Sequence, residues 1–175
     1  NVKTALQKSC NYFFYEMGRK LGVDTIAKYA RYFGLGQKTG IEITGETSGT
    51  VASTAYAESR GDIWYPSNVY SAAIGQSYNN YSPLQMARYV SMIANGGNYV
   101  EPTVIKEVKN VEGYIVSKEE VENHTNELLG IKTEYNPEVE VTDETLNTIK
   151  AGMRLVTSSG GTAYSIFKDF DYSVA

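Results

Sequence analysis

The segment from Ser82 to Gly97 constrains the fold most strongly, because it carries both the start and the end of a helix. Ser82 is a good N-cap residue, and Pro83 suits the first helical position. Gly96-Gly97 supplies the stop signal. The sequence therefore predicts a helix here, and it predicts a tightly packed face made of small or apolar side chains: Leu84, Ala87, Ser91 and Ala94.

Three further regions have helical patterns. Residues 1–34 are helical in character, with Gly22 as an internal break. Residues 66–75 suit a short helix, and Thr142 caps a long one that ends near Gly160-Gly161. Apolar side chains recur at helical spacing in that last segment, at Leu146, Ile149, Met153 and Val156.

The other segments predict loops and short strands. Residues 34–68 are rich in Gly, Thr and Ser and indicate a long irregular excursion. Residues 103–111 and 114–117 alternate like two strands, with Glu112-Gly113 as their turn. Residues 118–141 are acidic and polar, and we interpret them as a surface insertion.

Composition excludes several classes of function. A chain of 175 residues with 42% hydrophobic and 21% charged residues suits one globular domain. A net charge of −4 without a basic cluster argues against nucleic-acid binding. Cys10 and His124 are the single cysteine and histidine, so we expect neither a Ser-His-Asp triad nor a metal or other cofactor. No apolar run reaches the ~18 residues that a membrane span needs.

Two Ser-x-Asn strings stand out, because this motif is one part of a three-part site for acyl transfer. Ser9-Cys10-Asn11 lies between two helical segments, so its hydroxyl and carboxamide are predicted to share one cleft at a helix junction. Ser77-Tyr78-Asn79 lies in a loop that offers no such frame. The sequence favours Ser9 and Asn11 as the functional pair.

Four blocks then resemble, in family order, the transpeptidase domain of class B penicillin-binding proteins. They occupy residues 5–14, 33–41, 73–87 and 93–97, and a weaker fifth block combines helix 152–156 with Gly161-Thr162-Ala163. The resemblance implies an α+β fold of the penicillin-binding protein transpeptidase and serine β-lactamase type, with helices packed on an antiparallel sheet. Residues 1–175 would be a partial and incomplete transpeptidase domain.

The resemblance implies a peptidoglycan D,D-transpeptidase that crosslinks the cell wall by serine acyl transfer. In that family a Ser-x-x-Lys serine attacks the carbonyl between two D-alanines of a stem peptide. Ser9 would relay a proton towards the leaving amine, and Asn11 would hold the substrate amide and orient the base lysine. Gln76 and Tyr78 are weaker candidates for substrate binding.

Two other motif matches are in the wrong order for this family. Ser165-x-x-Lys168 follows Ser-x-Asn, and Lys38-Thr39-Gly40 lies in the loop-rich region. We predict an exposed lysine beside an ordinary serine, and a structural turn. Residues 172–175 resemble the strand that leads into the family's Gly-Lys-Thr-Gly. The nucleophile and that motif are expected outside this chain, which alone should be inactive and should be poorly stable or associate.

Alternatives remain open at this point. A β-lactamase or D,D-carboxypeptidase would share the fold, and a non-catalytic sensor or scaffold could keep it with a degenerate site. The expected partners are stem peptides ending in D-Ala-D-Ala and β-lactam antibiotics, with other cell-wall synthesis proteins as further candidates. The resemblance implies the extracytoplasmic face of the bacterial cytoplasmic membrane, with an anchor in a segment absent from this chain.

Overall fold

A computed structural model describes residues 1–130 and 140–174 of the chain. The regular elements of this part are all helices, which is consistent with the capping signals of the sequence. They are α1 (Val2–Gln7), α2 (Asn11–Leu21), α3 (Val23–Tyr32), α4 (Thr54–Ser59), α5 (Asn68–Ala73), α6 (Pro83–Ala94), α7 (Lys118–Leu129), α8 (Asp143–Thr157) and α9 (Tyr164–Phe167).

The predicted caps are confirmed. The Ser82 hydroxyl accepts from the Gln85 N–H, while the Gln85 side chain accepts from the Ser82 N–H, each at 3.2 Å, so α6 begins with a capping box. The Thr142 hydroxyl caps α8 by accepting from the Thr145 N–H. Gly22 separates α2 from α3 with a φ of +76°, a conformation that suits glycine.

The packed face of α6 differs from the prediction. Ala87, Ser91 and Ala94 are exposed, whereas the buried residues are Gln85, Arg88, Met92 and Ile93. The prediction of a small-residue packing stripe is therefore wrong. Two polar side chains of α6, Gln85 and Arg88, face inward instead. They do so because they bind main-chain carbonyls of residues 34–48.

Those carbonyl contacts fix the irregular excursion to α6. Gln85 Nε2 donates to Gln37 O at 2.7 Å and to Ser48 O at 2.9 Å. The Arg88 guanidinium donates to Gly34 O and, at 3.5 Å, to Thr39 O. The excursion is as irregular as predicted up to residue 53, but the sequence did not predict the short helix α4 that follows.

Close backbone contacts set the relative positions of the helices. A Cβ added at Gly152 of α8 would lie 2.5 Å from Leu6 Cδ1 and 3.3 Å from Lys3 Cα of α1. A Cβ added at Gly18 of α2 would lie 2.6 Å from the Cβ of Ala73 in α5. Glycine at both positions lets α1 lie directly on α8 and α2 on α5, and this fixes the junction between α1 and α2.

Buried side chains form three small cores around this frame. The first joins α3, α5 and residue 52, the second joins α3, α6 and α8, and the third joins α3 to residues 35 and 51. Their buried members are Val23, Ala52, Val69 and Ala72; Phe33, Met92, Ile93 and Leu146; and Ala27, Leu35 and Val51.

The predicted antiparallel sheet is not found among the described residues, where pairing is limited to the isolated antiparallel bridges Thr50–Asn80 and Lys109–Ile115. The turn at Gly113 forms as predicted, but pairing does not extend along residues 103–117. One reason is that the Val104 N–H donates to Glu42 Oε2 at 3.0 Å rather than to a neighbouring strand. Residues 172–174 form no strand either, and residue 175 lies outside the described part.

The region predicted as a surface insertion contains α7. The Ser117 hydroxyl caps this helix, and none of its residues is buried. Residues 131–139 of the predicted insertion lie outside the described residues, so the insertion stays a prediction. Across residues 1–130 and 140–174, no helix has the length and apolar character that crossing a membrane requires.

Candidate active site

Ser9 and Asn11 lie together where α1 ends and α2 begins. The Ser9 N–H donates to Leu6 O at 3.1 Å and the Cys10 N–H to Ala5 O at 2.9 Å, which closes the last turn of α1. Ser9 itself has a φ of +49°, an uncommon conformation for a residue other than glycine. Both residues are exposed, and the predicted position between two helices is found. That their side chains share one cleft stays a prediction.

The loop that follows α8 lies against this junction. Lys8 Nζ donates to Gly160 O at 2.7 Å, and Gln7 Nε2 donates to Ser159 O at 3.3 Å. In the reverse direction, the Thr162 N–H donates to Gln7 O at 3.2 Å. The contacts join residues 7–8 to residues 159–162 and hold the two segments side by side.

The functional groups of the two predicted site residues differ in their partners. The Ser9 hydroxyl lies 3.3 Å from the Thr162 hydroxyl, close enough for a hydrogen bond in either direction. The Asn11 carboxamide makes no hydrogen bond with any of the described residues. A hydroxyl with spare hydrogen-bonding capacity thus lies two residues along the chain from a carboxamide that can still donate and accept. This pair can hold a peptide amide and pass a proton.

The end of the described chain packs against the last turn of α8. Arg154 Nη1 donates to Val174 O at 2.5 Å, and the Thr157 hydroxyl also donates to that carbonyl. Thr157 is the last residue of α8, immediately before the loop that contacts Ser9. The segment that resembles the family's path into its Lys-Thr-Gly therefore lies against the last turn of α8.

The second Ser-x-Asn motif is part of the scaffold. Asn79 Oδ1 accepts from the Ala52 N–H at 2.9 Å and from the Tyr81 hydroxyl at 2.6 Å. Asn79 Nδ2 donates to Ala72 O at 3.1 Å and to Gln76 O at 3.0 Å. All four hydrogen bonds that a carboxamide readily makes are used within the protein.

Gln76 and Tyr78 do not contact Ser9 or Asn11 in the described part of the chain. Gln76 is exposed. The Tyr78 hydroxyl donates to Asp62 Oδ2 at 2.9 Å, and this hydrogen bond raises the pKa of Tyr78. Its ring also packs edge-on against Tyr56, 5.5 Å between centroids. A role of these two residues in substrate binding stays a prediction.

The Lys38-Thr39-Gly40 motif forms a closed turn. Thr39 is fully buried, and both its N–H and its hydroxyl donate to Glu46 Oε1, at 2.7 and 2.6 Å. The Gly40 N–H donates to Glu46 Oε2 at 3.2 Å. A hydroxyl engaged in this way cannot bind a substrate carboxylate, so the predicted structural role is supported.

Ser165 and Lys168 lie on and just after α9, a helix of four residues, and both are exposed. The described structure gives neither side chain a hydrogen bond or an ion pair. This matches the prediction of an exposed lysine beside an ordinary serine. The Ser-x-x-Lys of this chain lacks the buried setting that would activate a serine.

A groove of about 350 Å³ lies away from Ser9, between residues 103–116 and α7. Glu42 lies in its wall, accepting hydrogen bonds from the Thr103 hydroxyl at 2.5 Å and from the Val104 N–H. Desolvation opposes the effect, but these two bonds hold the pKa of Glu42 below its ordinary value. Within the described residues, no three His, Cys, Asp or Glu side chains are grouped to hold a metal ion.

Sequence reasoning did not identify Thr162 as a neighbour of Ser9. The signal was present in Gly160-Gly161-Thr162, which was interpreted as a helix stop and as a weak family block. A Cβ added at Gly161 would lie 2.2 Å from Leu155 O and 2.1 Å from Val156 O, so this close turn requires glycine. The turn directs Thr162 back towards the α1–α2 junction.

Comparisons with known proteins agree with the motif blocks. Penicillin-binding protein H of Bacillus subtilis is 30% identical over 185 residues, covering 97% of this chain and 24% of that protein. The peptidoglycan D,D-transpeptidase MrdA of Haemophilus influenzae is 28% identical and covers 100% of this chain and 25% of that protein. The chain thus spans about a quarter of the length of these relatives.

Solved structures show the same fold. The penicillin-binding protein PBP2 of Helicobacter pylori superimposes with a TM-score of 0.76 at 23% identity, over 99% of this chain and 29% of that one. The family model described as the penicillin binding protein transpeptidase domain matches residues 1–175. The chain therefore belongs to the penicillin-binding protein transpeptidase family, as its motif blocks predicted.

Proposed function

We propose that the protein carrying this chain is a peptidoglycan D,D-transpeptidase in which Ser9 and Asn11 serve the acyl-transfer site. The observation that carries the proposal is the Ser9–Asn11 junction itself. It presents a hydroxyl and an unbonded carboxamide on the surface of a chain that matches the transpeptidase family over its whole length. Relatives named peptidoglycan D,D-transpeptidase support the reaction class.

The reaction forms an ester and breaks an amide. The hydroxyl of the Ser-x-x-Lys serine adds to the carbonyl between two D-alanines, and its proton passes to the neighbouring lysine. Ser9 then passes its proton to the leaving nitrogen as the C–N bond breaks and D-alanine departs, and it takes back the proton held by the lysine. The amine of a second stem peptide attacks the ester, which restores the serine and completes the crosslink.

Asn11 positions the substrate in this scheme. Its carboxamide can donate to the carbonyl and accept from the N–H of the stem-peptide backbone. Ser9 lies two residues before Asn11, just ahead of that helix, and in the proposed scheme both groups serve one bound peptide. Holding the reacting groups in one geometry lowers the entropic part of the barrier.

We further propose that the catalytic serine and its lysine, the substrate-binding Lys-Thr-Gly and the antiparallel sheet are supplied by other parts of the protein. Residues 1–175 then act as a helical portion of the domain. The proposed location is the extracytoplasmic face of the bacterial cytoplasmic membrane, where stem peptides ending in D-Ala-D-Ala and β-lactams are accessible. A solved complex of PBP2 with MreC from Helicobacter pylori supports other cell-wall synthesis proteins as partners.

The test is the intact mass of the protein after incubation with benzylpenicillin. It compares this chain with a longer protein that adds the Ser-x-x-Lys segment before it and the Lys-Thr-Gly segment after it. An adduct on the longer protein alone is expected, because the nucleophile is proposed to lie there. An adduct on the short chain would contradict that assignment and make Ser165 the first residue to replace.

The same samples separate the alternatives. A long-lived adduct supports the transpeptidase, whereas rapid release of hydrolysed antibiotic would indicate a β-lactamase. Release of D-alanine from a stem peptide without crosslinking would indicate a D,D-carboxypeptidase. No adduct on either protein would overturn the enzymatic proposal in favour of a scaffold.

A further inference from the structure

We propose that Thr162 is a positioning residue for the reaction, holding the Ser9 hydroxyl in one orientation towards the leaving group. This inference rests on the proposed function, since it assigns a partner to the proton relay of that site. Thr162 would not touch the substrate. It would act through the 3.3 Å contact between its hydroxyl and that of Ser9.

The backbone of Thr162 is fixed before its side chain is considered. Its N–H donates to Gln7 O at 3.2 Å, which holds the residue against the last turn of α1. Gly161, immediately before it, is packed under the carbonyls of Leu155 and Val156, where no Cβ fits. Both constraints fix the backbone of Thr162, and from there its exposed side chain places Oγ1 3.3 Å from Ser9 Oγ.

Ser9, in contrast, has little else to orient it. The residue is exposed and has a φ of +49°, and among the described residues its hydroxyl contacts only that of Thr162. A serine side chain without a partner samples three staggered rotamers. A proton relay needs one of them, since the proton must travel along a fixed line between donor and acceptor.

The hydrogen-bonding capacity of a hydroxyl is sufficient for this arrangement. Ser9 Oγ has one proton and two lone pairs. When the Thr162 hydroxyl donates to one Ser9 lone pair, Ser9 keeps its own proton to deliver and a second lone pair to receive one. Thr162 can therefore orient Ser9 without blocking the relay, and its own hydroxyl can switch between donor and acceptor as the proton moves.

The deciding variants are Thr162→Val and Thr162→Ser. Valine keeps the shape, the β-branch and the N–H that bonds Gln7 O, but it lacks the hydroxyl. Serine keeps the hydroxyl. The measurement is the rate constant of acylation by a fluorescent penicillin at saturation, in the longer protein described above. We expect Thr162→Val to lower it by ~10-fold, about the effect of one lost hydrogen bond, and Thr162→Ser to restore it to within about 2-fold.

Lys8→Met is the matched control. It removes the 2.7 Å bond to Gly160 O, another contact between the junction and the same loop, without altering any hydroxyl near Ser9. Its acylation rate should stay within about 2-fold of the parent. If Lys8→Met slowed acylation as much as Thr162→Val, docking of the loop would explain both effects and the inference would be wrong.

A double-mutant cycle with Ser9→Ala tests the coupling directly. If Thr162 acts through Ser9, Thr162→Val should have no further effect on acylation once the Ser9 hydroxyl is gone. Equal effects in both backgrounds would overturn the inference. If the parent protein forms no adduct at all, the proposed function fails, and the cycle is read in the free energy of unfolding instead. There, non-additivity supports the contact and strict additivity refutes it.

Discussion

The chain contains the string Ser-x-Asn twice, and the two copies differ in what their side chains do. Ser9 and Ser77 share a left-handed backbone, with φ of +49° and +64°. Asn79 binds two donors and two acceptors of the protein. The Asn11 carboxamide makes no hydrogen bond with any of the described residues.

This difference separates a structural motif from a candidate for binding. Asn79 links residue 52, α5 and Tyr81, so its amide substitutes for main-chain pairing where no strand is present. Asn11 contributes nothing comparable to the fold, yet its position at the start of α2 holds it at the surface beside Ser9. An exposed polar group with unused hydrogen-bonding capacity is available to a ligand.

The largest effect is expected from Asn11→Ala on acylation. Removing the carboxamide should lower acylation of the longer protein by benzylpenicillin by roughly 100-fold, about the effect of losing one preorganised donor. The free energy of unfolding should change by less than about 0.5 kcal/mol, since no internal hydrogen bond is lost. Acylation rates and urea unfolding of the same preparation measure both, and a destabilised but fully active variant would reverse the assignment.

Asn79→Ala should show the opposite pattern. It leaves the Ala52 N–H and the Tyr81 hydroxyl without their acceptor, so we expect a loss of about 2–4 kcal/mol in urea unfolding. Asn80→Ala is the matched control, because that side chain is exposed and makes no hydrogen bond in the described structure. Its effect should stay within about 0.5 kcal/mol. Equal losses for Asn79→Ala and Asn80→Ala would remove the distinction.

A smaller effect on stability is expected from alkaline pH, through the Tyr81 hydroxyl that donates to Asn79. Burial raises the pKa of Tyr81 from 10 to about 12, with the Tyr89 charge adding to the shift and Arg31 opposing it. The folded state therefore holds the phenol proton more tightly than the unfolded chain does. The resulting stability is fully present below pH 10 and is lost as the pH rises towards 12.

Urea unfolding at about pH 8, 10 and 11 tests this, because an ordinary phenol loses its proton over that range. It is measured on the parent and on Tyr81→Phe. The parent should be the more stable protein at the lowest pH, because its Tyr81 hydroxyl donates to Asn79. Its advantage over Tyr81→Phe should shrink at each step upward. A constant difference would show that Tyr81 does not titrate in this way.

The smallest effect on stability is expected from glycine at the two left-handed serines. Ser77→Gly should stabilise the fold by up to about 1 kcal/mol, since it relieves backbone strain and its exposed side chain makes no hydrogen bond in the described structure. Ser9→Gly should relieve similar strain but abolish most acylation. Thermal melts and acylation assays of the pair would contradict the comparison if both lost activity equally.

Local signals in the sequence were enough to predict most helices and to select a candidate site, which stays a prediction. Ser82, Thr142 and Gly22 set element boundaries through their own side chains or backbone freedom, so neighbouring residues suffice to recognise them. Ser9 and Asn11 were recognisable because the motif and its helical flanks are contiguous. The family was predictable because the order of its motif blocks can be read directly from the sequence.

Features that depend on distant partners could not be predicted. Arg88 is buried because the carbonyls of Gly34 and Thr39 meet it, and nothing within its own helix indicates that. Thr162 reaches Ser9 across 153 positions of sequence. Residues 103–111 alternate as a strand does. The Glu42 carboxylate, however, accepts a hydrogen bond from a main-chain N–H that strand pairing would need.

The contact at Gly152 has a consequence for the position of Ser9. Any side chain there would push against Leu6 and Lys3 and lift α1 from α8, and Ser9 lies just past the end of α1. Gly152→Ala should therefore displace the Ser9 hydroxyl, and on the proposed function it should slow acylation of the longer protein by benzylpenicillin.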